Sequence, residues 1–124
     1  MSNVDLTQLL TAADKIATAR ATRYAALAHL RWQRETGGLT LPDGADIVTT
    51  REGQAQIAGA VQSITAGLMT GPIDWKLASG WQQLAPDQML SIARAVIDHV
   101  KCCFAAERVV ASQMDAAPDY LLQP

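Results

Sequence analysis

The stretch LTQLLTAADKIATARATRYAALAHLRWQRE, residues 6–35, decides the fold of this chain. Its side chains recur in alternating steps of four and three residues, which keeps them on one face of a long helix. Asp5, or Thr11 together with Asp14, provides the signal for a helix start. Gly37-Gly38 provides the stop, because glycine accepts the left-handed conformation that closes a helix. At 1.5 Å per residue, we predict a helix of about 45 Å.

Downstream of this helix, the pattern predicts two small hairpins, a shorter helix and a second long helix. A turn sequence between short apolar runs predicts a hairpin near residues 39–49. Thr49 and Glu52 have the spacing of a capping box, which starts the shorter helix. Alternating apolar and polar residues predict another hairpin near residues 73–84. A proline suited to a first turn then begins a helix over about residues 86–115.

Length and composition indicate one folded unit. The chain has 124 residues, of which 49% are hydrophobic and 18% are charged, and this balance favours a packed core over disorder. One Phe and two Tyr accompany many aliphatic residues, which favours packed helices over a large sheet. We expect an α+β, helix-dominated fold with two long amphipathic helices, a shorter helix and two small β-hairpins. We expect residues 1–116 to form a single domain and residues 117–124 a C-terminal tail.

The charge balance names no partner. Ten basic and twelve acidic side chains leave a net charge of −2, too small to attract nucleic acid or an anionic membrane surface. No stretch has the apolar length that spans a bilayer, and the first residues lack the pattern of a secretory signal. Cys102 and Cys103 are adjacent and form no disulfide framework. We expect no nucleic-acid or membrane partner, and synthesis in a reducing cytosol.

Histidine and cysteine residues occur without the further residues that a metal site or a catalytic site requires. His99, Cys102 and Cys103 lie within one turn of the last predicted helix, but a structural zinc site needs four ligands. The only other histidine is His29. No Cys and His pair has a recognisable nucleophile setting, and no glycine-rich loop precedes a helix as a phosphate site requires. We predict no catalytic residue, no metal site and no cofactor, and hence a protein that is not an enzyme.

Three tryptophans allow two interpretations. If exposed, they would offer a stacking platform for sugars; if buried, they would pack one face against the helices. Trp75 alternates with polar neighbours in a predicted strand and Trp81 begins the next strand, which favours burial. We therefore assign all three to the core. The predicted core comprises Trp32, Trp75, Trp81, Ile57, Val61, Val96, Val100 and Cys103.

A cationic face on the first predicted helix is the best candidate for an interaction site. Four arginines lie within about 80° of one another at 100° per residue, and they share their face with Leu27. The structural interpretation is solvation, or arginine stems that cover Trp and Leu side chains. The functional interpretation is contact with a partner. The four residues are Arg20, Arg23, Arg31 and Arg34.

Glu107 lies in the apolar stripe of the last predicted helix, where an unpaired carboxylate would be costly. Antiparallel packing of the two long helices brings it near the first helix, where an arginine can bind it with two hydrogen bonds. We hypothesise that Glu107 and one of the four arginines set the register of a helical interface, inside one subunit or between subunits.

Three stretches, taken together, resemble a phage-borne domain family of unknown function (DUF4376-like). They are RWQRETGG at residues 31–38, TTREGQAQIAGA at residues 49–60, and the segment from Asp74-Trp75-Lys76 to Phe104-Ala105-Ala106-Glu107. The resemblance covers about residues 10 to 112, and the order and spacing of the stretches carry it. It implies membership of a family found in bacteriophage tail fibre and tail-assembly proteins, with no catalytic residues to assign.

The resemblance implies a setting in a virion tail or in its assembly. We expect a non-enzymatic structural or attachment protein that binds other tail proteins at the fibre, baseplate or tail tip. It would be made in the bacterial host cytoplasm and located in the virion tail. The alternatives are a tail fibre assembly chaperone that is not retained in the virion, and a host-glycan-binding module. We also expect a homo-oligomer, for which a trimer would match the symmetry common among fibres.

Overall fold

A computed structural model describes residues 3–118 of the chain. The helix-dominated α+β fold class is confirmed, and both hairpins lie where the sequence predicts them. In chain order the elements are α1 (Asn3–Thr36), β1 (Leu39–Thr40), β2 (Asp46–Ile47), α2 (Arg51–Thr65), β3 (Ile73–Leu77), β4 (Gly80–Leu84) and α3 (Pro86–Ala116).

The chain divides into two compact units. Unit 1 comprises Met1–Arg31 and Ala106–Pro124, and unit 2 comprises Trp32–Ala105. This division is not a test of independent folding, so the single domain over residues 1–116 stays a prediction. Of the predicted tail, residues 119–124 lie outside the described residues.

The end of α1 follows from two glycines. A Cβ on Gly37 would lie 2.7 Å from the carbonyl oxygen of Gln33, closer than real side chains approach. Gly38 has a φ of 100°, in the left-handed region that favours glycine. The predicted helix stop is therefore confirmed, whereas the start at Asn3 precedes both predicted starts.

The start of α2 corrects one prediction. We expected Thr49 to cap this helix, but the cap is Thr50, whose hydroxyl accepts a 3.0 Å hydrogen bond from the backbone N–H of Gly53. Thr49 is buried, and its hydroxyl accepts a 2.9 Å hydrogen bond from the backbone N–H of Gly38 instead. Thr49 therefore holds the loop after α1, and the helix begins one residue later than the pattern suggests.

Unit 2 contains a hydrophobic core between α2, α3 and the hairpins. In the second hairpin Ile73 pairs with Leu84, and Lys76 pairs with Trp81. Because side chains alternate along a strand, this register turns Ile73, Leu77 and Leu84 inward and Lys76 outward. The core residues are Ile47, Ile57, Ala60, Ile73, Leu77, Leu84, Met89, Ile92, Ala93 and Val96.

Unit 1 is an antiparallel pair of helical segments from α1 and α3. Arg20 contacts Met114 and Arg31 contacts Glu107, so the two segments run in opposite directions. None of the described side chains of unit 1 is buried. Leu27 of α1 and Met114 of α3 are half-buried.

Candidate interaction surfaces

The structure pairs Glu107 with Arg31. Arg31 Nε donates to Glu107 Oε1 over 2.9 Å, and the two side chains are only 15% and 23% exposed. Partial burial strengthens a charge-assisted hydrogen bond of this kind. The pair lies inside one chain, within unit 1, and its role in setting register stays a prediction.

Two further hydrogen bonds connect α1 to the C-terminal end of α3 in unit 1. An Arg20 guanidinium N–H donates to the carbonyl oxygen of Met114 over 2.9 Å. Because the last turn of α3 has no basic residue, Arg20 supplies positive charge at the negative end of that helix. The Tyr24 hydroxyl donates to Oδ1 of Asp115, and this carboxylate raises the pKa of Tyr24 because it holds the phenol proton.

The four arginines on the cationic face of α1 therefore differ in their surroundings. Arg20 and Arg31 contact α3, and Leu27 between them is half-buried. Arg23 is exposed in unit 1, and Arg34 is exposed in unit 2. A part of the proposed interaction site is thus an internal contact of unit 1.

A buried carboxylate joins the end of α1 to the start of α2. Glu35 is 0% exposed, and its oxygens accept two bonds from Arg51, at 2.8 and 3.0 Å. The Gln54 amide nitrogen donates to Glu35 over 2.9 Å and to the carbonyl oxygen of Thr49, also over 2.9 Å. We call these four residues the Glu35 network. It joins the stretches at residues 31–38 and 49–60, two of the three that carry the family resemblance.

The Glu35 network was not predictable from the sequence pattern. Its members are separated by 16 and 19 residues, and polar partners at such distances follow no helix or strand period. The one available signal was a charged residue, Glu35, close before Gly37-Gly38 at a predicted helix end. Glycine also matters at position 53, where a Cβ would lie 2.7 Å from the carbonyl oxygen of Val48.

Two tryptophans are not core residues, which corrects the sequence prediction. Trp81 is 74% exposed, because the hairpin register places it beside outward-facing Lys76, whose ammonium lies 5.8 Å from the ring centroid. Trp32 is 48% exposed, whereas Glu35, three residues later on α1, is buried and paired with Arg51.

Five of the six remaining predicted core residues lie in or beside the core. Ile57 and Val96 are buried, and Cys103 is half-buried. Three partly buried residues pack against the core, namely Val61, Trp75 and Val100.

The geometry at His99 argues against an activated thiol. His99 Nε2 lies 3.0 Å from the carbonyl oxygen of Arg34, which only accepts, so Nε2 carries the proton of this bond. The Cys103 sulfur lies 3.9 Å from the same nitrogen. A protonated Nε2 is not a base for Cys103, and the bond instead satisfies a carbonyl in the last turn of α1.

An aromatic cleft lies beside the second hairpin. It has a volume of about 410 Å³, and both Trp75 and Trp81 line it. Gln56, Ser63 and Lys76 add polar groups to its walls. The cleft thus combines two indole rings with an amide, a hydroxyl and a cation.

An apolar groove lies between α2 and α3 in unit 2. It has a volume of about 680 Å³, and most of its surface comes from aliphatic side chains of both helices. Ile97 on its wall is 64% exposed. Among the residues that the structure describes, Lys101 is the one charged residue lining it. We call this feature the α2–α3 groove. The sequence pattern did not predict this groove, because its apolar residues fit the helical period of a core.

Among the side chains that the structure describes, no group of three or more His, Cys, Asp or Glu residues is able to hold a metal ion. The lack of a metal site nevertheless stays a prediction. Within the same residues, no helix is both long enough and apolar enough to cross a membrane.

Comparison with protein families gives one match. The family model described as Domain of unknown function (DUF4376) matches residues 18–122. No curated protein and no solved structure matches the chain.

Proposed function

Since the chain belongs to the family described as Domain of unknown function (DUF4376), we propose that it is a non-enzymatic protein-binding module of a bacteriophage tail. Its role is structural or attachment work at the fibre, baseplate or tail tip. The phage setting rests on the resemblance of its sequence stretches to phage-borne proteins. The protein-binding role rests on the α2–α3 groove.

The composition of this groove supports a protein partner. Ile57, Val61 and Val100 provide an apolar floor between two helices, and Ile97 stands exposed at the edge. A small-molecule site usually adds several convergent polar groups that orient the ligand. Here Lys101 and two glutamines are the polar lining residues, so broad apolar contact is the better match.

A matched pair of variants tests the proposal. Ile97→Asp places a charge in the groove, whereas Leu68→Asp places one at an apolar site that is more exposed, at 83%, and lies outside the groove. We expect gradient-purified phage particles to contain the wild-type and Leu68→Asp chains and to lose most of the Ile97→Asp chain. Normal melting of both variants controls for folding. Wild-type amounts of Ile97→Asp in particles would contradict the proposal.

The same experiment separates the assembly chaperone. A chaperone would bind tail fibre protein in infected cells through the same groove but would be absent from finished particles. Detection of the wild-type chain in particles therefore favours the structural role, and its absence despite fibre binding favours the chaperone.

The aromatic cleft favours a second candidate, host-glycan binding. This function requires two tryptophans on one accessible surface, and Trp75 and Trp81 line the same cleft. Titration with purified host lipopolysaccharide should quench tryptophan fluorescence in the wild type and in Trp32→Ala, but not in Trp81→Ala. Equal quenching in both variants, or none in the wild type, removes this candidate.

A further inference from the structure

The outward side of α3 in unit 2 carries a regular apolar pattern. Leu90, Ile97 and Phe104 are exposed and follow one another at intervals of seven residues. Seven residues make nearly two helical turns, so each position lies only about 20° around the axis from the previous one. A repeat of this kind matches the side chains of another helix lying alongside.

Basic residues occupy the positions between these apolar ones. Arg94 and Lys101 are exposed, and they are also seven residues apart. At 100° per residue they interleave with the apolar side chains on one face of α3. We call Leu90, Arg94, Ile97, Lys101 and Phe104 together the α3 stripe. It contains no carboxylate, and Asp98 does not line the α2–α3 groove.

The α2 wall of the groove is uncharged. Gln54, Ala58 and Gln62 line it beside the apolar floor, and the small side chain of Ala58 leaves room for close approach of a helix backbone. The groove therefore combines an apolar floor, one neutral wall and one wall with positive charge.

We propose that the α2–α3 groove binds one acidic amphipathic helix of a partner protein. This inference rests on the proposed protein-binding function and names the chemistry of its partner. The partner helix places apolar side chains, repeated every three to four residues, against Ile97 and the groove floor. Its Asp or Glu residues lie opposite Arg94 and Lys101, where opposite charges select the partner and its orientation.

Charge also argues against a second copy of this chain as the occupant. A twofold symmetric contact uses the same patch on both copies. Packing two α3 stripes together would collect four basic side chains, Arg94 and Lys101 from each copy, without a carboxylate from either stripe. A helix with acidic flanks has no such repulsion.

The test uses two labelled synthetic helices of about three heptads with identical leucine faces. One has Glu at the flanking positions and the other has Lys. In fluorescence anisotropy with the full chain, we expect the Glu helix to bind at least about tenfold more tightly than the Lys helix. Ile97→Asp should weaken Glu-helix binding at least about tenfold, whereas Leu68→Asp should not. Lys101→Glu should shift the preference toward the Lys helix.

Several outcomes overturn the inference. Equal affinities for the two helices, no binding of either, or full binding by Ile97→Asp each contradict it. A lower solution mass for Ile97→Asp than for Leu68→Asp, measured by light scattering, would assign the groove to a second copy instead.

Measuring the chain in purified phage particles distinguishes failure of this inference from failure of the proposed tail function. If neither synthetic helix binds but Ile97→Asp is lost from particles, the protein-binding function stands and the acidic helix is wrong. If the Glu helix binds as expected but Ile97→Asp enters particles normally, the helix site stands and the tail function is wrong.

Discussion

Unit 2 and unit 1 show two different ways of holding helices together. Unit 2 buries a continuous core, with Met89 at 0% exposure, whereas no described side chain of unit 1 is buried. In unit 1, Arg20, Tyr24 and Arg31 of α1 make directional hydrogen bonds to α3. Burial of apolar area supplies most folding free energy, while partly exposed polar pairs contribute little.

This difference assigns stability and specificity to different parts of the chain. Because unit 2 buries this core, we expect it to be the more stable part. The Arg31 and Glu107 pair contributes modestly to stability, but it has one best register, because a shift of one residue rotates the side chains by about 100°. Local opening should therefore begin in unit 1, whose described side chains are half-buried or exposed.

The largest effect should come from truncating the core. Met89→Ala should lower the free energy of unfolding by about 2–5 kcal/mol, because it leaves a cavity among fully packed side chains. Leu27→Ala in unit 1 should cost about 1 kcal/mol or less, because Leu27 is only half-buried. Urea denaturation compares the two, and an equal or greater loss for Leu27→Ala would break the comparison between the units.

The next effect concerns the Glu35 network within unit 2. Arg51→Ala removes both of its bonds to a buried carboxylate and should cost about 2 kcal/mol. Arg94→Ala, at an exposed position on α3, is the control and should cost less than about 0.5 kcal/mol. Equal urea midpoints for the two variants would show that the network adds no stability.

A smaller effect is expected at Glu107. Glu107→Gln keeps the shape of the side chain but removes the charge opposite Arg31, which should cost about 1 kcal/mol. Hydrogen exchange should accelerate for amides at residues 106–116 and remain unchanged in the core of unit 2. Asp98→Asn, at an exposed position of the same helix, is the control. Unchanged exchange at residues 106–116 would remove the idea that this pair holds unit 1.

The smallest effect should appear at alkaline pH. Because the pKa of Tyr24 is raised from 10.0 in the folded chain, its hydrogen bond to Asp115 is fully present below pH 10. The contribution is lost as the pH rises through the folded pKa, where phenolate and carboxylate repel. Helical circular dichroism and tyrosinate absorbance should change together in that range. Tyr24→Phe should lack this coupled change, and an identical profile in the variant would contradict the assignment.

Periodicity predicted the elements of both units, and it failed where long-range pairing decides exposure. The glycines after α1 and the turn residues of both hairpins act locally, so their effects follow from neighbouring residues. Trp81 shows the limit. Its strand was predictable, but its outward direction depends on the pairing of Lys76 with Trp81.

In the candidate sites too, local patterns were predictable and long-range partners were not. The arginines of α1 and Glu107 were visible as charges on helical stripes, while the choice of Arg31 as the partner required the register of the two helices. The α2–α3 groove was hidden because Ile97 resembles a core residue in any helical pattern. Only the positions of α2 and α3 in unit 2 show that its side chain stays exposed.

By itself, the sequence determined three helices, two hairpins and the residues at which most of them end. These features depend on backbone preferences and hydrophobic periods within a few residues. The tertiary structure alone decided that Glu35 is buried, that Trp81 is exposed, and which groove remains open. Burial depends on what packs against a side chain, and residues distant in the chain supply that packing.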